Sequence, residues 1–286
     1  WRPNLRVKLR TVGVRHLDWS TGHATRRANA RGMVSQFMRP LVLAALVAIS
    51  APVAGVVGAQ APVRAAAQPA NLVERLEQAL NASDPAGLEA LVAPGQLPQW
   101  VPRLQRFTER FSKARWQLKA GAPLSDGRLP VAVSVEGSTE KDGLMFSLQA
   151  SQSLALSTEA GLITDQEVLN EQSLLVNSKG ALPVTLLIPD TVLTGSRYDV
   201  DVILDEPLGQ AMVAGGLIAL TPAQVLAQAS PDIQLEPLGS GGLFKSVQAP
   251  FQPGVQTWAV MLVHPDGVIT VTKQVRVVSD RSQLGQ

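Results

Sequence analysis

Leu144-Met-Phe-Ser-Leu-Gln-Ala-Ser-Gln-Ser-Leu-Ala-Leu156 places apolar and polar residues on alternate positions. Leu144, Phe146, Leu148, Ala150, Leu154 and Leu156 share one parity, with Gln152 as the exception. Met145, Ser147, Gln149, Ser151 and Ser153 hold the other. Successive side chains of a strand point to opposite faces. The stretch therefore predicts a long strand with one buried and one wet face, as in antiparallel sheets. Glu159-Ala160-Gly161 turns the chain, and Leu162–Leu175 returns as a second long strand. In it, Asp165, Glu167 and Glu171 share a parity with Ile163 and Leu169.

Toward the N-terminus the same period continues. Val131, Val133 and Val135 alternate with Ala132, Ser134 and Glu136, Ser138–Gly143 reads as a polar turn, and Trp116–Ala120 is a short strand. Before Trp116 the period becomes helical. Leu72, Val73, Leu76, Ala79 and Leu80 make Asn71–Asn81 an amphipathic helix with Asn71 as its N-cap. Ser83-Asp84-Pro85 opens a second helix, Pro85–Val92, with proline at its first position. Pro94-Gly95 ends that helix, and a third follows over Pro98–Lys113 with Trp100, Leu104, Phe107 and Phe111 on one face.

Toward the C-terminus, Gly180-Ala-Leu-Pro183 marks a boundary. Short strands are expected beyond it at Val184–Ile188, Tyr198–Leu204, Val213–Leu220, Ile233–Leu238, Leu243–Gln248, Thr257–Val263 and Val268–Val278. Short strands punctuated by Pro and Gly turns suggest an immunoglobulin-like sandwich, with Trp258 as its core anchor and without the cysteine pair of antibody domains.

Helices followed by long antiparallel strands predict an α+β domain. The order Leu72–Leu80, Gly87–Val92, Trp100–Phe111, then Ala114-Arg-Trp116 and the hairpin around Gly161, resembles the nuclear transport factor two-like, or SnoaL-like, superfamily. The resemblance covers about Asn71–Val176 and rests on element order. It implies a curved sheet wrapping a helix into a cone with a pocket, here lined by Trp100, Phe107, Phe111, Trp116 and Phe146. The expected fold is thus an α+β cone over 71–178 plus a separate all-β sandwich over 181–280.

The start of the chain carries a different signal. Met38-Arg39-Pro40 precedes the apolar run Leu41–Ile49, and small residues follow at Val57-Gly58-Ala59. Basic, apolar and small-residue regions in that order read as an export signal over 38–59, with 60–70 as a linker. An uncleaved anchor, giving membrane association, is the alternative. Arg26-Arg27 stands far from Leu41 and is a poor twin-arginine signal. Residues 1–37 form a basic segment without apolar periodicity, expected to be disordered or upstream sequence.

Charge divides at the same place. Residues 1–32 hold eight basic side chains against one acid, and the remainder holds 17 against 22. The body is mildly acidic, so it lacks the cationic surface that grips a phosphate backbone. Arg103, Arg106, Arg110, Lys113 and Arg115 form its densest basic region and read as a solvated face.

Few residues offer chemistry. The chain has no cysteine, which excludes thiol nucleophiles, iron–sulfur clusters and cysteine-held zinc. After Met33 only His264 remains, in Val263-His264-Pro265-Asp266-Gly267 at a hairpin mouth, without a Gly-x-Ser-x-Gly elbow. Asp199, Asp201 and Asp205 share a parity and could collect calcium, or protect an edge strand with no ligand. Gly215-Gly216 and Gly239–Gly242 lack the lysine and helix of a phosphate loop. Some members of the cone superfamily are isomerases or dehydratases with an acid–base residue in the pocket, and here Asp165, Glu167 and Glu171 are the only candidates. The expectation is an exported, non-catalytic binding or scaffolding protein with no cofactor. It would hold a small apolar ligand or an envelope protein partner. The alternative is an isomerase or dehydratase using a carboxylate in the cone.

Overall fold

The structure, a computed structural model, describes residues 69–141, 143–178, 182–205, 212–227, 231–239 and 241–284. The basic segment 1–37, the export signal 38–59 and residues 60–68 of the linker lie outside the described residues.

Three helices come first: α1 (Pro69–Ala82), α2 (Pro85–Glu89) and α3 (Leu97–Arg110). Helix α1 begins before Asn71, because a proline at the first turn loses no hydrogen bond. Asp84 caps α2 by accepting the Ala86 amide at 3.0 Å. Helix α2 ends early, and Val92 instead bridges Ile163 in parallel.

Strands β1 (Arg115–Ala120), β2 (Leu129–Lys141), β3 (Leu144–Glu159) and β4 (Leu162–Ser178) follow as an antiparallel meander. The turn expected over Ser138–Gly143 is mostly strand, since Ser138 to Lys141 pair with β3 and Gly143 (φ 76°) makes the reversal. Ala160 and Gly161, at φ 50° and 82°, close the β3–β4 hairpin as twist-compatible turns require.

Strand β1 is an edge, and α1 covers it. The Asn81 side chain accepts the Trp116 amide and donates to the Trp116 carbonyl, both at 2.9 Å, and Glu77 accepts the Leu118 amide at 2.7 Å. A helix thereby supplies the hydrogen bonds that a free edge would offer another chain. Asn81→Ala is expected to lower stability by about 1–3 kcal/mol and to raise aggregation, read from denaturant midpoints and light scattering.

The remaining strands are β5 (Val184–Leu187), β6 (Thr191–Leu193), β7 (Arg197–Leu204), β8 (Ala214–Leu220), β9 (Glu236–Pro237), β10 (Gly242–Gln248), β11 (Gly254–His264) and β12 (Gly267–Val278). A short helix, α4 (Pro222–Ala227), follows β8. Most of the strand expected at Ile233–Leu238 is unpaired, and only Glu236 and Pro237 join the sheet.

These strands correct the expected fold. The chain is not an α+β cone beside a separate sandwich. Strands β1-β2-β3-β4-β12-β11-β8-β9 form one continuous sheet, nine-stranded with β6, because β12 pairs with β4 from Gly267↔Ser178 to Lys273↔Gln172. Among the described residues, twelve strands stand against four short α-helices. The boundary at Gly180–Pro183 marks where the chain leaves the first strands. It does not mark where they end in space, since the last strand returns to them.

One sheet carries two large cores and a smaller cluster of Leu220, Ile233, Ala259 and Met261. Helices α1–α3 cover one face over β1–β4, around Leu76, Leu88, Trp100, Phe111, Val133, Leu148 and Leu156. The second sheet, β10-β7-β5, covers the opposite face over β11 and β12, around Tyr198, Val200, Val202, Trp258, Val260 and Val271. This second part is a two-sheet sandwich. Strand β12 lies inside the sheet between β4 and β11, and every residue from Ile269 to Val278 is buried.

Candidate functional site

The functional question centres on β4 and the helix face above it. Directly paired residues on neighbouring strands share a face. The β3–β4 register shifts twice, between Ser153 and Leu154 and between Ser157 and Thr158. Each shift adds one residue to β4 and reverses its alternation. Asp165 and Glu167 therefore pair with Ser157 and Ala155 on the face away from the helices, whereas Glu171 pairs with Gln152 on the helix face. The three carboxylates that share a parity in the sequence do not share a face.

Glu171 is 2% exposed and accepts a hydrogen bond from the Gln152 amide at 2.8 Å. Gln152, the odd residue in an apolar row, is thus the partner of the buried acid. Arg103 of α3 lies within electrostatic reach. Its guanidinium is held below the ordinary arginine value, first by burial and then by Arg106, with Glu171 opposing both. One register step further, the Ser173 and Thr272 hydroxyls hydrogen-bond across the β4–β12 seam.

Glu167 sits in ion pairs with Arg128 at 2.6 Å and Arg276 at 3.1 Å. Burial works against the charge on Arg128, but its hydrogen bonds to Glu167 and Asp126 outweigh it and hold the group above its ordinary value. Asp165 is half-buried beside them. Lys273, 5% exposed, bonds Asn170 at 3.1 Å and pairs with Asp190, tying β12 to β4 and to the loop after β5.

The α3 end of this region holds three further polar groups. Gln96 donates to the Thr164 carbonyl at 3.1 Å, but its Oε1 is buried without a partner. Trp100 is fully buried with no partner for its indole N–H. Gln166, paired with Leu156 on the helix face, has neither amide atom bonded. No period in the sequence marks these residues as a group, because Gln96 precedes α3, Trp100 lies on it and Gln166 is on a distant strand.

The aromatic residues assigned to a pocket lie in the first core. Trp100, Phe111, Trp116 and Phe146 are buried and Phe107 is half-buried. Phe107 stacks on Phe111 at 5.4 Å between ring centres and meets Trp116 edge-on at 5.0 Å. Asp199 and Asp201 lie outward on β7, opposite Ser246 and Phe244, and Asp205 follows the strand. Among the described residues no three His, Asp or Glu side chains are grouped to hold a metal ion. His264 Nδ1 accepts the Asp266 amide at 3.1 Å within its own turn. Gly216 serves packing, since a Cβ there would stand 2.2 Å from the Gln234 carbonyl oxygen.

The only tyrosine, Tyr198, belongs to the second core. It accepts from the Trp258 indole at 3.0 Å and donates to Gln256 at 2.7 Å. Burial raises its pKa, against the lowering effect of the Trp258 bond. A raised folded-state value means its contribution is complete below the unfolded pKa and is lost as pH rises through the folded one. The wild type is therefore expected to lose stability more steeply than Tyr198→Phe above about pH 10, measured by urea unfolding across that range.

Residues 179–278 match a family described as a domain of unknown function, DUF8623. The match runs to the end of β12, and so includes the strand that pairs with β4 outside it. No curated protein matches the chain.

Proposed function

We propose that the chain is an exported, non-catalytic binding or scaffolding protein. The observation that carries this reading is that the acid–base groups are engaged inside the protein. Glu171 is bonded to Gln152 near Arg103, Glu167 is paired with two arginines, and His264 is tied into its own turn. The alternative, an isomerase or dehydratase, would have to use Glu171. A neighbouring cation is the opposite of the apolar setting that makes a carboxylate a base near neutrality.

The outer side of the second sheet favours a protein partner over a small apolar ligand. Phe244 and Leu187 are exposed and flank Asp201 in one cross-strand row, while the aromatic side chains of the first unit pack on one another. Recovery of the native protein from cell fractions, with mass spectrometry of what accompanies it, tests the reading. The expected result is a chain in the exported fraction, cleaved near Ala59-Gln60, with one stoichiometric partner that Phe244→Ser weakens. A cytosolic chain, or one recovered alone, would contradict it.

A further inference from the structure

We propose that the free edge of β10 docks the partner, which adds an extended segment antiparallel to it, with apolar and cationic side chains alternating along the face that carries Phe244. This rests on the reading of the chain as a partner-binding protein and names the chemistry that the partner presents.

An edge strand offers unpaired backbone groups to another chain unless it is covered, short or interrupted by proline. Among the described residues the edges are β1, β9 and β6 in the large sheet and β5 and β10 in the small one. Helix α1 covers β1, through Asn81 and Glu77. Strands β5, β6 and β9 have four, three and two residues. Strand β10 has seven, Gly242–Gln248, and no proline. The bonds at its two ends set its pairing. The Leu204 amide donates to the Gly241 carbonyl and the Ala249 amide to the Ser196 carbonyl, both at 2.8 Å. Odd positions of β10 therefore bond β7, and the N–H and C=O of Phe244 and Ser246 point away from it. No strand lies beyond them among the described residues, and Phe244, Lys245 and Ser246 are all exposed.

Charge and shape on the outer face say what would lie along that edge. Phe244 stands opposite Asp201, with Leu187 beyond it, and Ser246 stands opposite Asp199. Neither aspartate is in an ion pair among the described residues. Lys245 does not serve them, since it turns to the other face with its ammonium 5.6 Å from the Trp258 ring centre. Arg197 lies at the end of β7, opposite Gln248. An added strand sets its side chains about 4.7–4.9 Å from those of β10. An apolar residue opposite Phe244 would cover the exposed ring. An arginine or lysine opposite Ser246 would reach over that small side chain to Asp199. A second copy paired through β10 would instead set two acidic faces side by side, so charge favours a cationic strand from another protein.

The test titrates the full chain into a fluorescent peptide, Thr-Val-Thr-Arg-Thr-Val-Thr-Arg-Thr, and reads anisotropy. Its valines and arginines share one face when extended. The expected result is saturable binding that weakens with salt, and at least about tenfold weaker binding when both arginines are replaced by glutamate. Methylating the backbone nitrogens of the valines and arginines removes the donors that face β10 and keeps every side chain. It should cost at least about tenfold, the worth of two hydrogen bonds. Ser246→Pro removes an N–H that β7 does not use, a change that edge strands tolerate, and should have the same effect. Asp199→Asn should narrow the difference between the two peptides by about twofold to fivefold. Absence of saturable binding, equal binding of the methylated peptide, or a dimer in sedimentation that Ser246→Pro splits would overturn the proposal. Such a failure would leave the partner-binding reading standing if Phe244→Ser still releases the co-purifying partner.

Discussion

Trp100→Ala will lower the folding stability of the chain by about 3–5 kcal/mol, the range for removing a large aromatic from a core that only partly collapses. Trp100 is 0% exposed and is the largest fully buried side chain among the described residues. It sits in the first turn of α3, whose sequence Leu97–Arg110 carries two prolines, Pro98 and Pro102, and gains little from intrinsic helix propensity. Such a helix depends on packing of its inner face, and Trp100 with Leu104 makes that face. Urea unfolding should show a lower midpoint at an unchanged slope. Trp100→Phe keeps most of the ring and removes an N–H that lacks a protein partner, so its loss should be below about 1.5 kcal/mol.

Glu171→Ala will cost about 3 kcal/mol, although only one short side chain is removed. The acid is buried, and its departure takes one acceptor from the Gln152 amide and removes an anion near Arg103. Most of the cost belongs to the groups left behind rather than to the lost contact. Two further variants separate these effects. Glu171→Gln keeps a hydrogen-bonding partner for Gln152 and should cost clearly less. The pair Gln152→Leu with Glu171→Leu leaves no orphan between the strands and should recover most of the loss, which a double-mutant cycle measures as coupling. A loss in the double variant equal to the sum of the losses in Gln152→Leu and Glu171→Leu alone would show that Gln152 and Glu171 act independently.

The local pattern was legible where residues close in sequence are also close in space. The alternation of Leu144–Leu156 becomes β3 with its apolar row under the helices, and Leu72–Leu80 becomes the buried face of α1. Two features were hidden. The register shifts beside Leu154 and Thr158 carry no mark in composition, so Asp165, Glu167 and Glu171 looked like one face. The pairing of Ser173 with Thr272 spans 99 positions, and nothing local distinguishes a strand that pairs with its neighbour from one that pairs far away. Gln152 was the one visible clue, because a polar residue in an apolar row asks for a buried partner.

The polar residues of β12 bear on the same point. Thr270, Thr272, Gln274 and Arg276 alternate with Ile269, Val271, Val275 and Val277. All are buried, in a strand paired on one edge with β4 and on the other with β11 inside the shared sheet. Their polarity is absorbed instead by contacts such as Ser173–Thr272 and Gln274 to the Val168 carbonyl.

The absence of cysteine makes the shared sheet directly testable. Ser173 and Thr272 are paired in register with their hydroxyls in contact, a spacing of about 4.5–5.5 Å between Cα atoms that a disulfide accepts. The Ser173→Cys, Thr272→Cys double variant should oxidise to one intramolecular disulfide, seen as a loss of two hydrogens by intact mass. It should gain several kcal/mol in stability, up to about 4.7 for a loop near 100 residues. A double variant that stays reduced under oxidant while folded, or that crosslinks only between molecules, would contradict the continuous sheet.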